Sequence, residues 1–237
     1  MILQQLFDFF VPPHCAICGR RLLENEKGSL CTACLCDFPF FDKPYAAGSK
    51  LERRFWGQIP VAHVAALFCY RSHNRSTRVI LNLKYGHQPE LGYQFGRILG
   101  LKLAGTDFFD GIDAILPIPL SPFRRLKRGY NQSTYIANGL ASVCHLPVQA
   151  GWIRRTRHNR SQTKLSGFQR TSNVQNIFSL PHPEKVSGRH VLLVDDVLTT
   201  GSTLISCGKA LAQAGQVKIS IAVLGCTDPY ASLTTFP

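Results

Sequence analysis

Near its C-terminal end the chain sets four consecutive apolar residues, Val191, Leu192, Leu193 and Val194, ahead of two acids and a polar loop. A run without alternation predicts a strand buried on both faces, as in a parallel sheet. After the loop, LISCGKALAQAG has helical spacing and stops at Gly215, a residue suited to a helix C-terminus. Upstream, VAHVAALFCY from Val61 predicts a strand. STRVILNLKYGH predicts a helix with Ser76 as its N-cap, and GYQFGRILGLKLA a second helix weakened by its glycines. AILPI from Ala114 predicts a short strand and QSTYIANGLASV a helix, with Pro117, Pro119 and Pro122 stiffening the turn after the strand. RRLKRGYNQ is therefore expected as a loop. A strand is expected at Val148–Ile153, and VKISIAVLG is expected to close the sheet. Strands alternating with helices give an α/β fold with an open, mostly parallel sheet.

Composition and charge refine this picture. The length, 237 residues with 45% hydrophobic positions, suits one medium domain plus a small module. Prolines and glycines among aromatics between Asp37 and Pro60 read as a linker wrapped on the main domain. The expected division is 1–60 for a cysteine-bearing ribbon and linker, and 61–237 for the α/β domain. No apolar run is long enough to span a membrane, and MILQQLFDFFVPP lacks the basic start and cleavage site of a signal peptide. That segment reads as a short amphipathic piece packed on the residues after it, and a cytoplasmic location is expected. Of the net charge of +13, ten positive charges fall between Ala114 and Pro183, where no acid occurs. They are Arg124, Arg125, Lys127, Arg128, Arg154, Arg155, Arg157, Arg160, Lys164 and Arg170. A polyanionic partner is implied: a pyrophosphate-bearing substrate, nucleic acid, or both. Within this stretch RRTRHNRSQTKLSGFQRTSNVQNIF has no strong periodicity, and its length suits a mobile lid or a nucleic-acid contact surface.

Two sites carry recognisable chemistry. Cys15, Cys18, Cys31 and Cys34 form C-x2-C-x12-C-x2-C, which in a reducing compartment favours a closed structural zinc site over disulfides. Cys36 and His14 break the paired spacing, while Cys69, Cys144, Cys207 and Cys226 stand alone in apolar surroundings and read as core. The second site is the loop after Val194. Asp195 and Asp196 can accept hydrogen bonds from sugar hydroxyls or approach a metal, and the N–H groups of Thr199, Thr200, Gly201, Ser202 and Thr203 face a helix start that holds phosphate. A polyol at one end and phosphate at the other describe a phosphorylated sugar. A Walker B strand also ends in acids, but no GxxxxGK[ST] occurs in the chain.

Val191–Thr203 resembles the 5-phosphoribosyl-1-pyrophosphate (PRPP) motif of type I phosphoribosyltransferases at all thirteen positions. The four-cysteine ribbon, LKYGHQPELG, PIPLSPFRRLKRGYNQ, and Gln162, Leu165, Arg170, Asn173, Val174 and Phe178 extend the likeness from Cys15 to about Cys226. Together they resemble the ComF (ComFC/GntX) family. The resemblance implies a type I phosphoribosyltransferase-like domain behind a zinc ribbon, PRPP bound with Mg2+, and a part in natural transformation with imported single-stranded DNA. On that footing Arg124 and Arg128 would hold pyrophosphate. Arg154, Arg155, Arg157, Arg160, Lys164 and Arg170 would contact DNA, and other competence or DNA-processing proteins become candidate partners. Phe123, Tyr130, Tyr135, Trp152 and Phe168 lie among the basic residues as possible stacking platforms, with Tyr135 and Trp152 expected in packing instead. Catalytic residues and the acceptor are not identified by the sequence. A nucleobase-salvage enzyme and a non-catalytic DNA scaffold stand as alternatives.

Overall fold

The structure is a computed structural model that describes residues 13–26, 28–71, 74–156 and 177–227. Its centre is a four-stranded parallel sheet. Strand β1 is Val61–Cys69, β2 Ala114–Pro117, β5 His190–Leu198 and β6 Lys218–Cys226, in the order β1-β6-β5-β2. Two short strands, β3 (Arg154–Arg155) and β4 (Phe178–Ser179), pair antiparallel beside it. Along β5 successive side chains enter different cores: Leu192 and Val194 join one, Val191, Leu193 and Leu198 the other. The unbroken apolar run is thus the mark of a strand covered on both faces.

One face is covered by α3 (Arg75–Tyr85), α4 (Pro89–Leu103) and α6 (Gln132–Cys144), the other by α7 (Ser202–Ala212) with Leu51, Phe55 and Ile59. The glycines of α4 fit it to α6 rather than weakening it. A Cβ on Gly96 would lie 2.2 Å from the Ile136 carbonyl oxygen, and one on Gly139 would lie 2.1 Å from that of Tyr93. The two helices therefore cross at a distance that only hydrogen side chains permit.

The cysteine ribbon precedes the sheet and shares its core, since Cys15, Ile17, Leu22, Leu30, Cys31 and Cys34 are buried together with Phe95 and Leu99. Helix α1 (Thr32–Cys36) holds Cys34, and Cys31, the other member of the second pair, is its N-cap. The linker then runs along the outer edge of β1, pairing Phe40 with Phe68 and Tyr45 with Ala65, which covers an otherwise open strand edge. A short helix, α2 (Lys50–Arg53), comes next, before β1.

Several expectations need correction. The cap of α3 is Asn74, whose side chain accepts the Thr77 N–H, while Ser76 is fully buried within the first turn and donates to the Asn74 side chain. RRLKRGYNQ is not all loop: Ser121 caps a helix, α5 (Pro122–Arg128), with Pro122 in its first turn and Gly129 in the left-handed region at its end. Val148–Ile153 forms no strand beyond a single bridge from Val148 to Ile115. Strand β6 does not close the sheet but lies between β1 and β5, the place its nearly continuous burial demands. Cys207 and Cys226 are core residues, whereas Cys69 and Cys144 are only half-buried. The N-terminal segment through residue 12 lies outside the described residues.

Candidate functional site

The carboxyl ends of β2 and β5 open into a cleft of about 300 Å³. Asp195 and Asp196 form its floor, within β5 rather than just past it, because the strand continues to Leu198. Asp195 Oδ1 accepts hydrogen bonds from Ser133 Oγ (3.1 Å) and from the Asp196 N–H (2.9 Å). Burial, and then the neighbouring Asp196 charge, push Asp195 up to about 7. Asp196 is held differently, by Lys84 Nζ at 3.1 Å from its Oδ2.

Thr199 and Thr203 line the same cleft. Between them Gly201 has φ +82°, a conformation that a Cβ would strain, and this turn brings the loop back into α7. Thr200 and Ser202 are exposed and bond to each other through their hydroxyls (3.2 Å). Arg54, in the turn after α2, anchors the loop from behind by donating to the Thr199 carbonyl at 2.6 Å. The start of α7 thus lies beside the acids, where the positive dipole end of a helix and its N-terminal N–H groups can accept phosphate.

Arg124 and Arg128 reach the cleft from α5, and Arg128 lies over the Tyr85 ring at 5.4 Å. Arg155 also lines it, stacked on Phe178 at 5.4 Å, so it stands with the residues assigned to PRPP rather than apart from them. Burial, and then the Arg124 charge, lower the pKa of Arg155. Arg154 is exposed on the same short strand, whereas Arg157, Arg160, Lys164 and Arg170 lie outside the described residues. Residues the sequence did not assign to this site complete the wall: Tyr70, Lys84 and Gln132, the last two inside segments that carry the family resemblance. With four cations and two carboxylates the cleft suits a ligand that carries both anionic groups and hydroxyls.

Of the aromatics, Phe123 is 76% exposed on α5, while Tyr130 and Tyr135 pack edge to face at 5.4 Å and Trp152 is covered by Arg189. Phe168 lies outside the described residues.

The four cysteines of the ribbon converge, their Sγ atoms all within 4.8 Å of one another. A tetrahedral ion with metal–sulfur bonds of about 2.3 Å needs sulfurs roughly 3.8 Å apart. Cys18 and Cys31 meet that at 3.8 Å. Each pair sits on a knuckle whose backbone N–H points at sulfur, Ile17 to Cys15 (3.5 Å) and Cys34 to Cys31 (3.4 Å). The Cys34 N–H pulls Cys31 down to about 6, while burial and the neighbouring thiols push Cys34 up to about 12. A divalent cation would let all four ionise, so the donor set fits a metal ion. Cys36 is exposed and outside the cluster. Glu26 braces the ribbon, accepting from Arg20, Leu23 and Thr32.

Residues 98–225, more than half of the chain, match the phosphoribosyl transferase domain family. Competence protein F of Haemophilus influenzae is 30% identical over 210 residues, covering 88% of this chain and 82% of that protein. DNA utilization protein YhgH of Escherichia coli O157:H7 is 33% identical over 146 residues, 60% of this chain and 63% of its own length. Competence protein ComFC of Bacillus subtilis is 32% identical over 102 residues, 43% of this chain and 39% of that protein. A solved glutamine PRPP amidotransferase from B. subtilis, complexed with ADP and GMP, superposes with a TM-score of 0.41 at 20% identity, covering 60% of this chain and 30% of that one. Among the described residues no helix is long and apolar enough to cross a membrane.

Proposed function

The chain belongs to the ComF family and carries a phosphoribosyl transferase domain, and from that premise we propose that it binds PRPP in the β2–β5 cleft while serving DNA uptake in natural transformation. The observation that carries this reading is the convergence of the acid pair, the Thr199–Thr203 loop and the arginines of α5 on one cleft. Asp195 and Asp196 would take the ribose hydroxyls. The N–H groups from Thr199 to Thr203 would take the 5′-phosphate, and Arg124, Arg128 and Arg155 the pyrophosphate. Mg2+ bound with PRPP would add charge neutralisation at the pyrophosphate. The chemistry such a site can host is displacement of pyrophosphate at the anomeric carbon. The arginines would stabilise charge as it develops on the leaving group.

Zinc in the four-cysteine ribbon, a cytoplasmic location and contact with single-stranded DNA complete the proposal. Support for the DNA contact comes from the acid-free basic stretch and from Phe123, which stands exposed on α5 next to the cleft-lining Arg124. An unpaired base can stack on such a ring while neighbouring arginines hold its phosphates.

Replacing Asp195 and Asp196 by Ala tests the cleft assignment by titration calorimetry with Mg-PRPP. The expected result is loss of measurable binding with an unchanged far-ultraviolet circular dichroism spectrum. Unchanged affinity would remove the assignment. Pyrophosphate release with a free nucleobase, indifferent to DNA, would favour salvage chemistry instead.

A further inference from the structure

Lys84 lies in the last turn of α3 and reaches across to Asp196, 3.1 Å from its Oδ2. This is not an ordinary surface pair. Asp196 is 8% exposed, and both residues line the cleft rather than the outer surface. The two acids are thus partnered by different groups. Asp195 is held by neutral donors, Ser133 Oγ and a backbone N–H, and Asp196 by a full positive charge. Two adjacent carboxylates are what a hard divalent cation seeks, and an ammonium already stands on one of them.

A second observation points to an oxygen ligand at this cleft. Gln132, 1% exposed at the start of α6, lines the cleft, and its side-chain Nε2 has no hydrogen-bond partner. A buried N–H without a partner costs roughly 1–3 kcal/mol, which a ligand oxygen placed there would recover.

We propose that Lys84 is the cleft's internal counter-cation, occupying Asp196 in the free protein and withholding the acid pair from divalent metal until the phosphosugar arrives. The inference rests on the reading of the cleft as a PRPP site. An anionic ligand offers the ammonium better partners than a single carboxylate, and the departure of the ammonium frees Asp196 for the ribose hydroxyls and the metal that enter together with the ligand. Lys84 is thereby a positioning residue that makes metal capture conditional on the sugar phosphate. The exchange moves one ion pair and requires no covalent step.

The test uses Mn2+ as the probe, with free ion counted by electron paramagnetic resonance in the full-length, zinc-loaded protein. The wild-type protein should bind Mn2+ weakly. Lys84→Met should bind it about tenfold more tightly, because the acid pair has lost its counter-charge. Lys84→Arg should remain weak, and adding Asp196→Asn to Lys84→Met should return binding to the wild-type level. PRPP should strengthen Mn2+ retention more in the wild type than in Lys84→Met. A Lys84→Met protein that binds Mn2+ no better than wild type would overturn the proposal, as would PRPP-induced gains that are measurable and equal in both. Because Mn2+ alone is the first probe, a wild-type protein that ignores PRPP would fail the functional reading without affecting that comparison.

Discussion

Asp195 and Asp196 are neighbours in sequence but not in environment. Asp195 is pushed up to about 7 by burial and by the charge of Asp196. Its protonated form therefore persists well above the usual carboxylate range of about 4. The folded state holds that proton where the unfolded chain releases it, so between roughly pH 4 and 7 this group lowers stability as pH rises. Ligand binding has the opposite sign. Ribose hydroxyls donate to an ionised carboxylate, so PRPP affinity should climb by up to about tenfold per unit as pH rises toward 7, then level off. Calorimetry at pH 6, 7 and 8 checks this, and an affinity that falls over the same range would contradict it. Asp195→Asn should flatten the profile and, by removing one charge-assisted hydrogen bond, cost about 1.5–3 kcal/mol of binding.

How far these residues are legible in the sequence depends on whether they are contiguous. Val191–Thr203 holds a buried strand, both acids and the phosphate loop in one stretch, so its chemistry is visible in the letters alone. Lys84, Gln132 and Arg155 come from three other segments and share no spacing with that stretch. Their meeting is a product of tertiary structure, and Arg155, one of ten cations in an acid-free run, is indistinguishable in sequence from its neighbours.

At the scale of elements, two features set the geometry. The crossing of α4 on α6 depends on missing side chains. Read by propensity, Gly92, Gly96 and Gly100 weaken a helix; read by packing, they are the contact surface. Gly96→Ala should destabilise the fold by about 1–3 kcal/mol, seen as a lower urea midpoint, since its methyl group would meet the backbone of α6. An unchanged midpoint would mean that the helices separate freely.

The other feature is α3, which joins the ribbon to the cleft. Arg78 donates to the Ile17 carbonyl (2.6 Å) and Asn82 to that of Ala16 (2.5 Å), while Lys84 at the same helix's end holds Asp196. Cys15→Ser, or removal of metal by a chelator, should lower the melting temperature and release bound zinc from the protein. Full stability with no zinc found by elemental analysis would contradict the ribbon assignment. The helix α5 is hidden in the sequence because Pro119 and Pro122 argue for a loop, yet Pro122 falls at a helix's first turn, where proline is tolerated.

Across the whole molecule, charge is the dominant pattern. Ten of the basic residues lie in one acid-free stretch that supplies both the cleft's arginines and the exposed face of α5. Binding of a short single-stranded oligonucleotide should therefore weaken steeply with salt, with a slope of about −0.7 per phosphate neutralised. Because α5 serves the cleft with Arg124 and Arg128 and faces outward with Phe123, DNA and PRPP should influence one another. Linkage makes any such effect reciprocal.

The most direct measurement is calorimetric titration of Mg-PRPP into the purified protein, with and without a short single-stranded oligonucleotide. Saturable binding with one site per chain is predicted, with an affinity that shifts when the oligonucleotide is present. PRPP binding unaffected by DNA would separate the two functions, and absence of PRPP binding under either condition would contradict the central claim.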